Sequence, residues 1–559
     1  MNQASKEMTF DPIGLEVMWS RLINITEECW ITIWKTAFST IIGEAQDFGC
    51  ELLDAQGESL AHSPRSMPVF NLTLPRAVKA LLARYPASEL KEGDVLITND
   101  PWVCAGHLFD VALVTPVFRD GKVVAIVGSI AHCSDIGGTR DYQSAREIYE
   151  EGLQIPPMKL FEAGEMNESL VTLIRSNVRK SDMVLGDILA QHGANRVAAV
   201  RLLSFMDHYG IDDLGPLANE IQGRSEQAMR DAIEAVPDGV YCSTVAFDGI
   251  DAPLSLSVAI TVSGDEMRVD WEGPPQLPQG GINCTLNYTA AHTVYALKSI
   301  LTPEIPSNAG CFRSITVDAP EGSILNCRYP AAVNQRTQTG WYCAPAIFAA
   351  LADVLPNRVQ AFTGLPMGAG AYGPDPQGGF FNDHLFQGGG QGGSEHGDGQ
   401  SALLYPTSAG NTSIEMFETR TPLIVGEKSY LTDSGGAGKY RGGMGQRVTV
   451  RKLYDDDLPA LMSLHPQGMI VETPGLKGGK PGRRSSIALQ GAQGEVRDVA
   501  LGGMAELRSP DQTVVIEMPG GSGFGAPSER DPEAIRRDLE EGLVSEEGAA
   551  AYGSAASTA

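Results

Sequence analysis

The feature that most constrains the fold is a pair of long apolar segments joined by an Asp-Gly turn. The segments "VALVTPVF" and "KVVAIVGSIAHC" flank "RDG" at residues 119–121. An Asp-Gly pair between two apolar runs is a strong signal for a β-hairpin. Because neither run alternates with polar residues, both faces of both strands are expected to be buried. The chain must therefore build a sheet around this hairpin and cover that sheet on both sides.

Two histidines and two aspartates lie where this hairpin opens. His107 and Asp110 belong to the segment "NDPWVCAGHLFD", which precedes the first strand, and His132 ends the second strand. Because the strands are of similar length, the antiparallel return is expected to bring His132 close to Asp110. Asp135 follows His132 by three positions and is a candidate for ligating or orienting the same group. Imidazole with carboxylate suits Zn, Mn or Fe, so the sequence predicts a divalent metal site without selecting the ion.

The alternative is that these side chains are ordinary hydrogen-bonding residues beside a turn, and spacing alone leaves both possibilities open. The chain contains no HExxH motif and no CxxC pair that would decide the matter. Cys104, close to His107, is a further candidate as a nucleophile. A lone cysteine among hydrophobic residues is more often structural, so the metal hypothesis is favoured over the thiol hypothesis.

Three Gly-rich stretches stand out in the second half of the chain. The densest, at 386–402, is either a loop that lets a ligand approach or a flexible linker. The stretches at 434–445 and 519–525 do not match a Walker loop or a GxGxxG turn, so no nucleotide site is predicted in this chain. His384 and His396 flank the first stretch and are candidates for lining a site. The histidines without acidic partners in register are predicted to be structural: His192, His208, His292 and His465.

Periodicity along the chain predicts an α+β, multidomain protein. The predicted regions are an N-terminal mixed helix and sheet metal region (1–139), a helical region (140–237), a Gly-rich β-containing mixed region (238–530), and a C-terminal helix with a disordered tail (531–559). The predicted helices include 13–38, 73–85, 287–301, 341–354 and 531–542, and strands are predicted at 238–275.

The composition excludes several functional classes. The 559 residues carry a formal net charge of −27, and such a surface repels phosphate backbones, so nucleic acid is not an expected partner. No apolar run approaches the roughly 18 residues of a membrane span, and the first residues lack the pattern of a signal peptide. Nine cysteines without a pairing pattern indicate reduced thiols and a cytoplasmic location.

Several segments together resemble the hydantoinase B/oxoprolinase family. They are "DFGCELLDAQGES", "NDPWVCAGHLFDVALVTPVF", "SIAHCSDIGG", "AREIYEEGLQIPPMKL", "DSGGAGKYRGGMGQR" and "PGGSGFGAPSERDPEAIRRDLEEGLVS", and they cover nearly the whole chain. The resemblance implies that the family's metal pattern, His-x-x-Asp with a later His, falls on His107, Asp110 and His132. It also implies that a family acidic residue falls on Asp47, as a further ligand. The predicted catalytic carboxylates are then Asp47, Asp110 and Asp135.

The resemblance further implies a division of labour between two subunits. A hydantoinase A-like partner would bind ATP and Mg and phosphorylate a cyclic amide, and this chain would carry the metal and hydrolyse the activated ring. Such enzymes are expected to assemble as α2β2-type heterotetramers, with a hydantoin, lactam or oxoproline as substrate. The alternative is a subunit of an ATP-dependent carboxylase of ketones such as acetone or acetophenone. A third possibility is a scaffold without catalytic function that supports the ATP-binding subunit.

Overall fold

The structure, a computed structural model, describes residues 10–140, 144–491, 493–499 and 503–553. Helices and strands are mixed along the chain and form several separate sheets, so the predicted α+β, multidomain class is confirmed. The helices are α1 (Pro12–Thr36), α2 (Thr40–Gly43), α3 (Pro68–Arg84), α4 (Ile148–Glu151), α5 (Glu168–Asn177), α6 (Ser181–Tyr209), α7 (Gly215–Glu234), α8 (Leu286–Leu301), α9 (Thr337–Gly340), α10 (Cys343–Leu351), α11 (Ile414–Arg420), α12 (Pro532–Glu540) and α13 (Glu546–Ala549). Among the described residues, none of these helices combines the length and apolarity that a bilayer crossing needs.

The strands fall into an N-terminal, a central and a C-terminal group. They are β1 (Phe48–Asp54), β2 (Ser59–His62), β3 (Val95–Thr98), β4 (Asp110–Arg119), β5 (Lys122–His132), β6 (Met158–Glu162), β7 (Glu165–Met166), β8 (Gly239–Phe247), β9 (Leu254–Ser263), β10 (Glu266–Glu272), β11 (Ile315–Asp318), β12 (Met367–Pro374), β13 (Phe380–Gln387), β14 (Leu423–Tyr430), β15 (Gln446–Lys452), β16 (Ala460–Ser463), β17 (Ser486–Gln490), β18 (Val496–Asp498), β19 (Met504–Leu507) and β20 (Thr513–Glu517).

The first sheet has seven strands in the order β2-β1-β5-β4-β3-β6-β7. The predicted hairpin, β4 with β5, lies at its centre, and Asp110 pairs directly with His132. Successive residues of β5 belong to different cores, because Val127 packs with α1 and α6 while Ile126 and Ile130 pack with α3. Burial on both faces is the physical reason that the hairpin sequence is continuously apolar.

The prediction that 140–237 is helical is correct for α5, α6 and α7 and wrong at 158–166. There β6 and β7 extend the first sheet, and Val95 of β3 lies opposite Phe161 of β6. A segment as short as "MKLFE" has no strong periodicity of its own, so pairing with an available sheet edge decides its conformation. The predicted domain boundaries remain predictions, and the first sheet takes β6 from beyond residue 139.

The second sheet, in the order β11-β10-β9-β8, confirms the strands predicted at 238–275. Helix α10 packs on β8 and β9, and α8 lies between α10 and α3 of the N-terminal region. Almost the whole of α8 is buried as a result. This helix therefore connects the core of the second sheet to the N-terminal region, and it carries side chains that reach the candidate site described below.

Two further sheets, β13-β12-β16-β19 and β14-β15-β20-β17-β18, pack against each other through one shared core. The three Gly-rich stretches interleave beside them. A Cβ at Gly390 would lie 1.9 Å from the carbonyl oxygen of Gly443, and one at Gly521 would lie 1.9 Å from that of Gln391. Backbone hydrogen bonds connect the stretches, with Gly443 N donating to Gln391 O at 2.7 Å. The stretch at 386–402 is therefore packed structure, and the flexible-linker alternative is wrong.

The C-terminal helix lies where predicted, but the expectation of a disordered tail is wrong for residues 546–553. Tyr552 is only 2% exposed and packs with Ile535 and Val544. The guanidinium carbon of Arg530 lies 5.6 Å from the centre of the Tyr552 ring. One aromatic side chain in a run of small residues thus anchors the tail to α12. The prediction for residues 554–559 falls outside the described part of the chain.

Candidate metal centre

The structure brings His107, Asp110 and His132 together at the open end of the hairpin. One ligand atom from each lies within 4.8 Å of the others. His107 Nε2 is 3.0 Å from Asp110 Oδ2, and His132 Nδ1 is 3.0 Å from Asp110 Oδ1. The register of the hairpin produces the second contact, because Asp110 and His132 are direct cross-strand partners. The predicted spatial convergence is present, and the residue types are those of a mixed N/O metal site.

The loop before β4 fixes the orientation of His107. The amide of Asn99 donates to the carbonyl of Leu108 at 2.7 Å, and its oxygen accepts from Ile155 N at 2.6 Å. His107 Nδ1 donates to the carbonyl of Asn334 at 3.3 Å, so in the neutral ring Nε2 carries the lone pair. That Nε2 atom is buried and has no hydrogen-bond partner, although the Asp110 carboxylate is adjacent. A lone pair facing a carboxylate fits a cation bound between them.

The electrostatics favour the protonation states that bind a metal. Burial, reinforced by the charge of Arg336, lowers the pKa of His107 to about 4. Burial by itself would raise the pKa of Asp110, but His107 and Arg336 hold that pKa well below its usual range. The site therefore presents a neutral imidazole beside an ionised carboxylate at neutral pH, and metal ligands must be in these forms.

Asp47 lies beside the cluster on the segment that leads into β1. Its backbone carbonyl accepts from His132 N at 3.0 Å, and its Oδ2 is 3.8 Å from His132 Nδ1. Burial raises the pKa of Asp47 to about 6, with His132 acting in the opposite direction. Asp47 is outside the group of three whose ligand atoms all lie within 4.8 Å of one another. It is close enough to serve as a further ligand or to exchange a proton at the site.

Asp135 is not brought to the cluster. Its carboxylate accepts from Arg179 through the backbone N at 2.6 Å and through Nη1 at 2.9 Å, and it also accepts from Gly137 N at 3.3 Å. Asp135 is therefore occupied in holding the chain that follows β5, and it is not among the residues that line the site cavity. Its spacing from His132 mirrors that of His107 and Asp110, but the chain turns away from the sheet edge after His132.

Arg336 was not predicted from the sequence, and it bonds directly to the cluster. Its Nη2 donates to Asp110 Oδ2 at 2.7 Å and its Nε donates to the carbonyl of Ala105 at 2.8 Å. Its guanidinium carbon lies 4.5 Å from the centre of the Tyr288 ring. Arg336 and Asp110 are 226 positions apart, so no spacing rule could have paired them. Gly106 permits this packing, because it has φ +88° and a Cβ there would lie 2.9 Å from Tyr288 Cβ.

The cluster opens into a cavity of about 1330 Å³, counted with its open mouth, whose walls come from the N-terminal, central and C-terminal parts of the chain. His384 lines it, as its position beside the Gly-rich stretch suggested. His396 does not, since its ring donates to the carbonyl of Asn357 at 2.7 Å. His292 and His465, predicted to be structural, line the cavity as well. Their segments meet only in the folded chain, so no pattern of neighbouring residues indicates that they line a site.

Cys104 is not placed to act as a nucleophile. It is fully buried, and its sulfur lies 3.8 Å from the backbone oxygen of Asp110. Burial raises the pKa of this thiol far above its usual value, which suppresses the thiolate that nucleophilic attack requires. Cys104 is a packing residue of the core under α3.

Comparison with known proteins gives consistent results. A family model described as hydantoinase B/oxoprolinase matches residues 11–527. The caprolactamase subunit beta of Pseudomonas jessenii is 31% identical to this chain over 97% of this chain and 95% of that protein. The 5-oxoprolinase of Dictyostelium discoideum is 28% identical over 93% of this chain, which corresponds to 41% of that longer protein.

Solved structures share the fold. The crystal structure of ATP-dependent caprolactamase from Pseudomonas jessenii superposes with a TM-score of 0.88 at 29% identity, covering 98% of this chain and 96% of that chain. A nucleotide-free acetone carboxylase structure gives a TM-score of 0.87 over 97% of this chain and 79% of that chain, at 18% identity, which is a likeness of fold alone. Because the family model spans nearly the whole described chain, this protein belongs to the hydantoinase B/oxoprolinase family.

Proposed function

We propose that this chain is the metal-containing subunit of an ATP-dependent cyclic amide hydrolase, acting on a ring that a partner subunit has activated by phosphorylation. The observation that carries the proposal is the convergence of His107, Asp110 and His132 in the lining of one cavity. The family membership and the relative named caprolactamase subunit beta support the reaction class. The fold likeness to caprolactamase extends over nearly the whole of both chains.

The chemical problem in such a reaction is the resonance of the amide. Nitrogen donates into the carbonyl, so an unstrained ring amide is attacked slowly by water. Transfer of a phosphoryl group from ATP to the amide oxygen removes that donation and leaves an electrophilic, imidate-like carbon. Water adds to this carbon, the ring C–N bond breaks with the nitrogen leaving as the amine, and a second water releases phosphate from the resulting acyl phosphate. This step belongs to the partner, since the sequence of this chain contains no phosphate loop.

The residues of this chain then prepare the attack of water. A divalent ion such as Zn, Mn or Fe would be held by His107, Asp110 and His132, with the Asp47 carboxylate beside them. When bound, the ion supplies a Lewis acid at the cluster. Asp47, whose pKa of about 6 lies near neutral pH, accepts the proton of the attacking water. Arg336 keeps Asp110 ionised and in place through its 2.7 Å hydrogen bond.

The proposed partner is a hydantoinase A-like subunit that binds ATP and Mg, in an α2β2-type heterotetramer. The name of the caprolactamase relative, a beta subunit, supports a two-subunit enzyme. The match to only part of the longer 5-oxoprolinase agrees, because a single chain can join both functions. A cytoplasmic location remains part of this proposal and rests on the unpaired cysteines, all nine of which are free thiols in the structure.

The second candidate function is ATP-dependent carboxylation of a ketone. It is supported by the fold that this chain shares with acetone carboxylase. At 18% identity this likeness concerns the fold and not the reaction. The two reactions differ in one requirement, because carboxylation consumes bicarbonate and hydrolysis does not. They also differ in the bond that changes, since hydrolysis opens a ring C–N bond and carboxylation forms a C–C bond.

The test is to purify the chain with its A-type partner, measure bound metal, and follow ATP consumption over a panel of cyclic amides and ketones with and without bicarbonate. The proposal expects ring opening that needs ATP and is independent of bicarbonate, and that is lost when the metal is removed. Product that forms only with bicarbonate would identify the carboxylase instead. Full activity after complete metal loss would indicate that this chain is a scaffold for the ATP-binding subunit.

A further inference from the structure

A row of residues crosses the sheet β13-β12-β16-β19 on the face that lines the cavity. Gly370 of β12 pairs with His384 of β13 on one side and with Ser463 of β16 on the other. All three line the cavity, whereas Ala371 and Met462, their neighbours along β12 and β16, belong to the core shared with the other C-terminal sheet. The alternation of side chains along the strands therefore directs this row into the cavity.

The glycine in the middle of this row leaves an opening in the cavity wall. Gly370 does not have a positive φ, so its backbone conformation does not require glycine. A Cβ at this position would lie 3.8 Å from both His384 Nε2 and Ser463 Cβ, which is an ordinary contact distance. Glycine inside a strand often marks a place where a ligand approaches the backbone closely. Here it keeps β12 open to the cavity between two polar side chains.

Ser463 is hydrogen-bonded to a histidine that also lines the cavity. Its Oγ lies 2.7 Å from His465 Nε2, and Ser463 is only 5% exposed. The backbone between the two residues is held in place, because Leu464 N donates to Gly503 O at 3.1 Å. A hydroxyl that shares a hydrogen bond with an imidazole can pass a proton to or from a reacting group.

The Ser463–His465 pair and the candidate metal cluster line the same cavity from two different sheets. The cluster stands at the end of the β4–β5 hairpin in the first sheet, and Ser463 stands on β16. The two sheets meet near the cluster, where Asn382 of β13 donates to the carbonyl of Ser134 at 3.0 Å. A ring amide held between the sheets would therefore meet a water molecule from the cluster on one side and the Ser463 hydroxyl on the other.

Several other side chains of the cavity are less suited to give up a proton. Burial, with a smaller effect from the charge of Arg336, lowers the pKa of His292 to about 3, so that ring is neutral at physiological pH. Burial raises the pKa of Tyr288 far above its usual value. Arg336 itself is bonded to Asp110 at 2.7 Å. The Ser463–His465 pair, by contrast, couples a hydroxyl directly to an imidazole.

The proposed reaction requires a proton donor at the ring nitrogen. After water has added, the ring carbon carries a hydroxyl group, the phosphate ester oxygen and the ring nitrogen. The nitrogen can leave only after it is protonated, because the anion of an amine is too strong a base to be expelled. Phosphate can leave without a proton. Without a donor, the carbon would therefore expel phosphate and form the closed ring again.

We propose that Ser463 is a catalytic residue that protonates the leaving ring nitrogen, and that His465 is a positioning residue that resupplies its proton. Protonated His465 gives its Nε2 proton to Ser463 Oγ, while Oγ gives its own proton to the lone pair of the nitrogen. The C–N bond then breaks, its electron pair stays on the nitrogen, and the hydroxyl on carbon becomes the carbonyl of the acyl phosphate as its proton passes to water. His465 regains a proton from water. This inference rests on the proposed function, because it adds a proton donor to that reaction.

The test follows ¹⁸O in the metal-loaded complex with the A-type partner, turning over with ATP in H₂¹⁸O. The probes are hydantoin, ε-caprolactam and 5-oxoproline, and the probe that wild type opens fastest is used for the variants. Three quantities are measured: ring opened, ATP consumed, and ¹⁸O in the carbonyl group of the recovered closed ring. Wild type should consume ATP in step with ring opening and leave the recovered ring unlabelled.

Ser463→Ala should lower ring opening by about 100-fold or more, as for the loss of a general acid. ATP consumption should continue, and the recovered ring should gain ¹⁸O, because phosphate now leaves in place of the nitrogen. His465→Gln can hold the Ser463 hydroxyl but cannot supply a proton, so it should change both readouts in the same direction by less. Ser463→Thr, which keeps the hydroxyl, should restore coupling between ATP consumption and ring opening.

A matched control is Ser243→Ala. Ser243 is also a strand serine whose hydroxyl donates a hydrogen bond, to the carbonyl of Ala346 at 2.6 Å, and it lies outside the cavity lining. Its replacement should leave coupling unchanged and the recovered ring unlabelled. All variants are compared at equal metal content and melting temperature. The ¹⁸O label is the readout that a merely structural role would not change.

Two results would overturn the inference: wild-type ring opening in Ser463→Ala, or loss of ring opening in that variant without ¹⁸O in the recovered ring. Either can occur while wild type still opens cyclic amides with ATP, which would leave the proposed function intact. The proposed function fails in a different way, through wild-type product that requires bicarbonate. The ¹⁸O label and the bicarbonate dependence therefore separate the two failures.

Discussion

The candidate metal cluster and the cavity wall that faces it are assembled in opposite ways. The cluster comes from residues 107–132, a loop and a single hairpin whose register places its members side by side. The facing wall draws on α8, on β13 and on the segment after β16, which are far apart in the chain. A cluster built on one hairpin depends on local pairing, whereas the wall depends on the packing of the whole molecule. Substitutions should therefore separate metal binding from cavity integrity.

The largest effect is expected from His132→Ala or His107→Ala, which remove side chains of the locally built cluster. Each removes one of three converging donors, so bound metal should be lost. Loss of a residue that only orients a metal ligand lowers activity by up to about 100-fold, so loss of a ligand itself should lower ATP-dependent turnover by more than that. Metal analysis and turnover with the partner subunit measure this. His396→Ala, an exposed histidine outside the cavity, is the control and should retain metal and activity. Normal activity in His132→Ala would contradict the metal role.

The next effect is expected from Gly390→Ala, which disturbs the packing of the Gly-rich stretches just after β13, a strand of the facing wall. Its Cβ would lie 1.9 Å from the carbonyl oxygen of Gly443, a backbone atom that cannot rotate away. Overpacking of this kind costs about 1–3 kcal/mol or more, so the melting temperature should fall while metal binding is retained. Gly193→Ala is the matched control, because nothing lies within 4 Å of a Cβ there on α6. It should raise stability by about 0.5–1 kcal/mol. A Gly390→Ala protein as stable as wild type would show that the Gly-rich stretches can separate.

A smaller effect is expected from Asn99→Asp, which changes the loop that positions His107 and leaves the three cluster residues in place. Asp retains the acceptor for Ile155 N but loses the donor to Leu108 O, so the loop that carries His107 is released on one side. Metal affinity should fall by about 10–100-fold, as for other residues that orient a ligand. Competition with a chelator measures it. Asn177→Asp removes a similar amide donor at the exposed C-terminal end of α5 and should leave metal affinity unchanged. Equal affinity in both variants would show that the loop is held by other contacts.

The smallest effect is expected on the pH dependence of stability, through a buried carboxyl group that contacts the segment carrying Asn334. Glu151 of α4 accepts hydrogen bonds from Val333 N and Asn334 N at 2.9 and 2.8 Å. Burial raises its pKa from 4.5 to about 8 even though these bonds favour the charged form. Between those values the folded chain holds a proton on Glu151 that the unfolded chain has released. The contribution of this proton to the free energy of unfolding is therefore complete below pH 4.5 and is lost as pH rises toward 8.

Glu151→Gln should therefore flatten the decline in melting temperature between pH 5 and pH 8. Thermal unfolding at several pH values, with two buffers at each, measures the slope. Glu415→Gln, an exposed residue at the start of α11, should keep the wild-type slope. A Glu151→Gln protein with an unchanged slope would show that other groups determine the pH dependence.

The features that sequence predicted best are those specified by neighbouring residues. The hairpin, the long helix α1 and the meeting of His132 with Asp110 all follow from short-range pattern and strand length. Strand β6 was missed because its conformation depends on an edge supplied by β3. Arg336 and His292 were missed for a related reason, since each reaches the site from a remote segment and no residue near it in sequence signals that role. The packed Gly-rich stretches share this property, because glycine leaves no side-chain pattern to interpret.

Those stretches also bear on how the polypeptide acquires its structure. Residues near 390, 443 and 521 satisfy one another's main-chain groups, as in the donation from Gly390 N to Pro519 O at 2.9 Å. Loops that must close over more than a hundred intervening residues form slowly, because chain entropy is lost before any contact compensates for it. During synthesis the first of these stretches leaves the ribosome long before the last. The hairpin can consequently form early, while the packing of the three Gly-rich stretches waits until residues 519–525, near the end of the chain, have been synthesised.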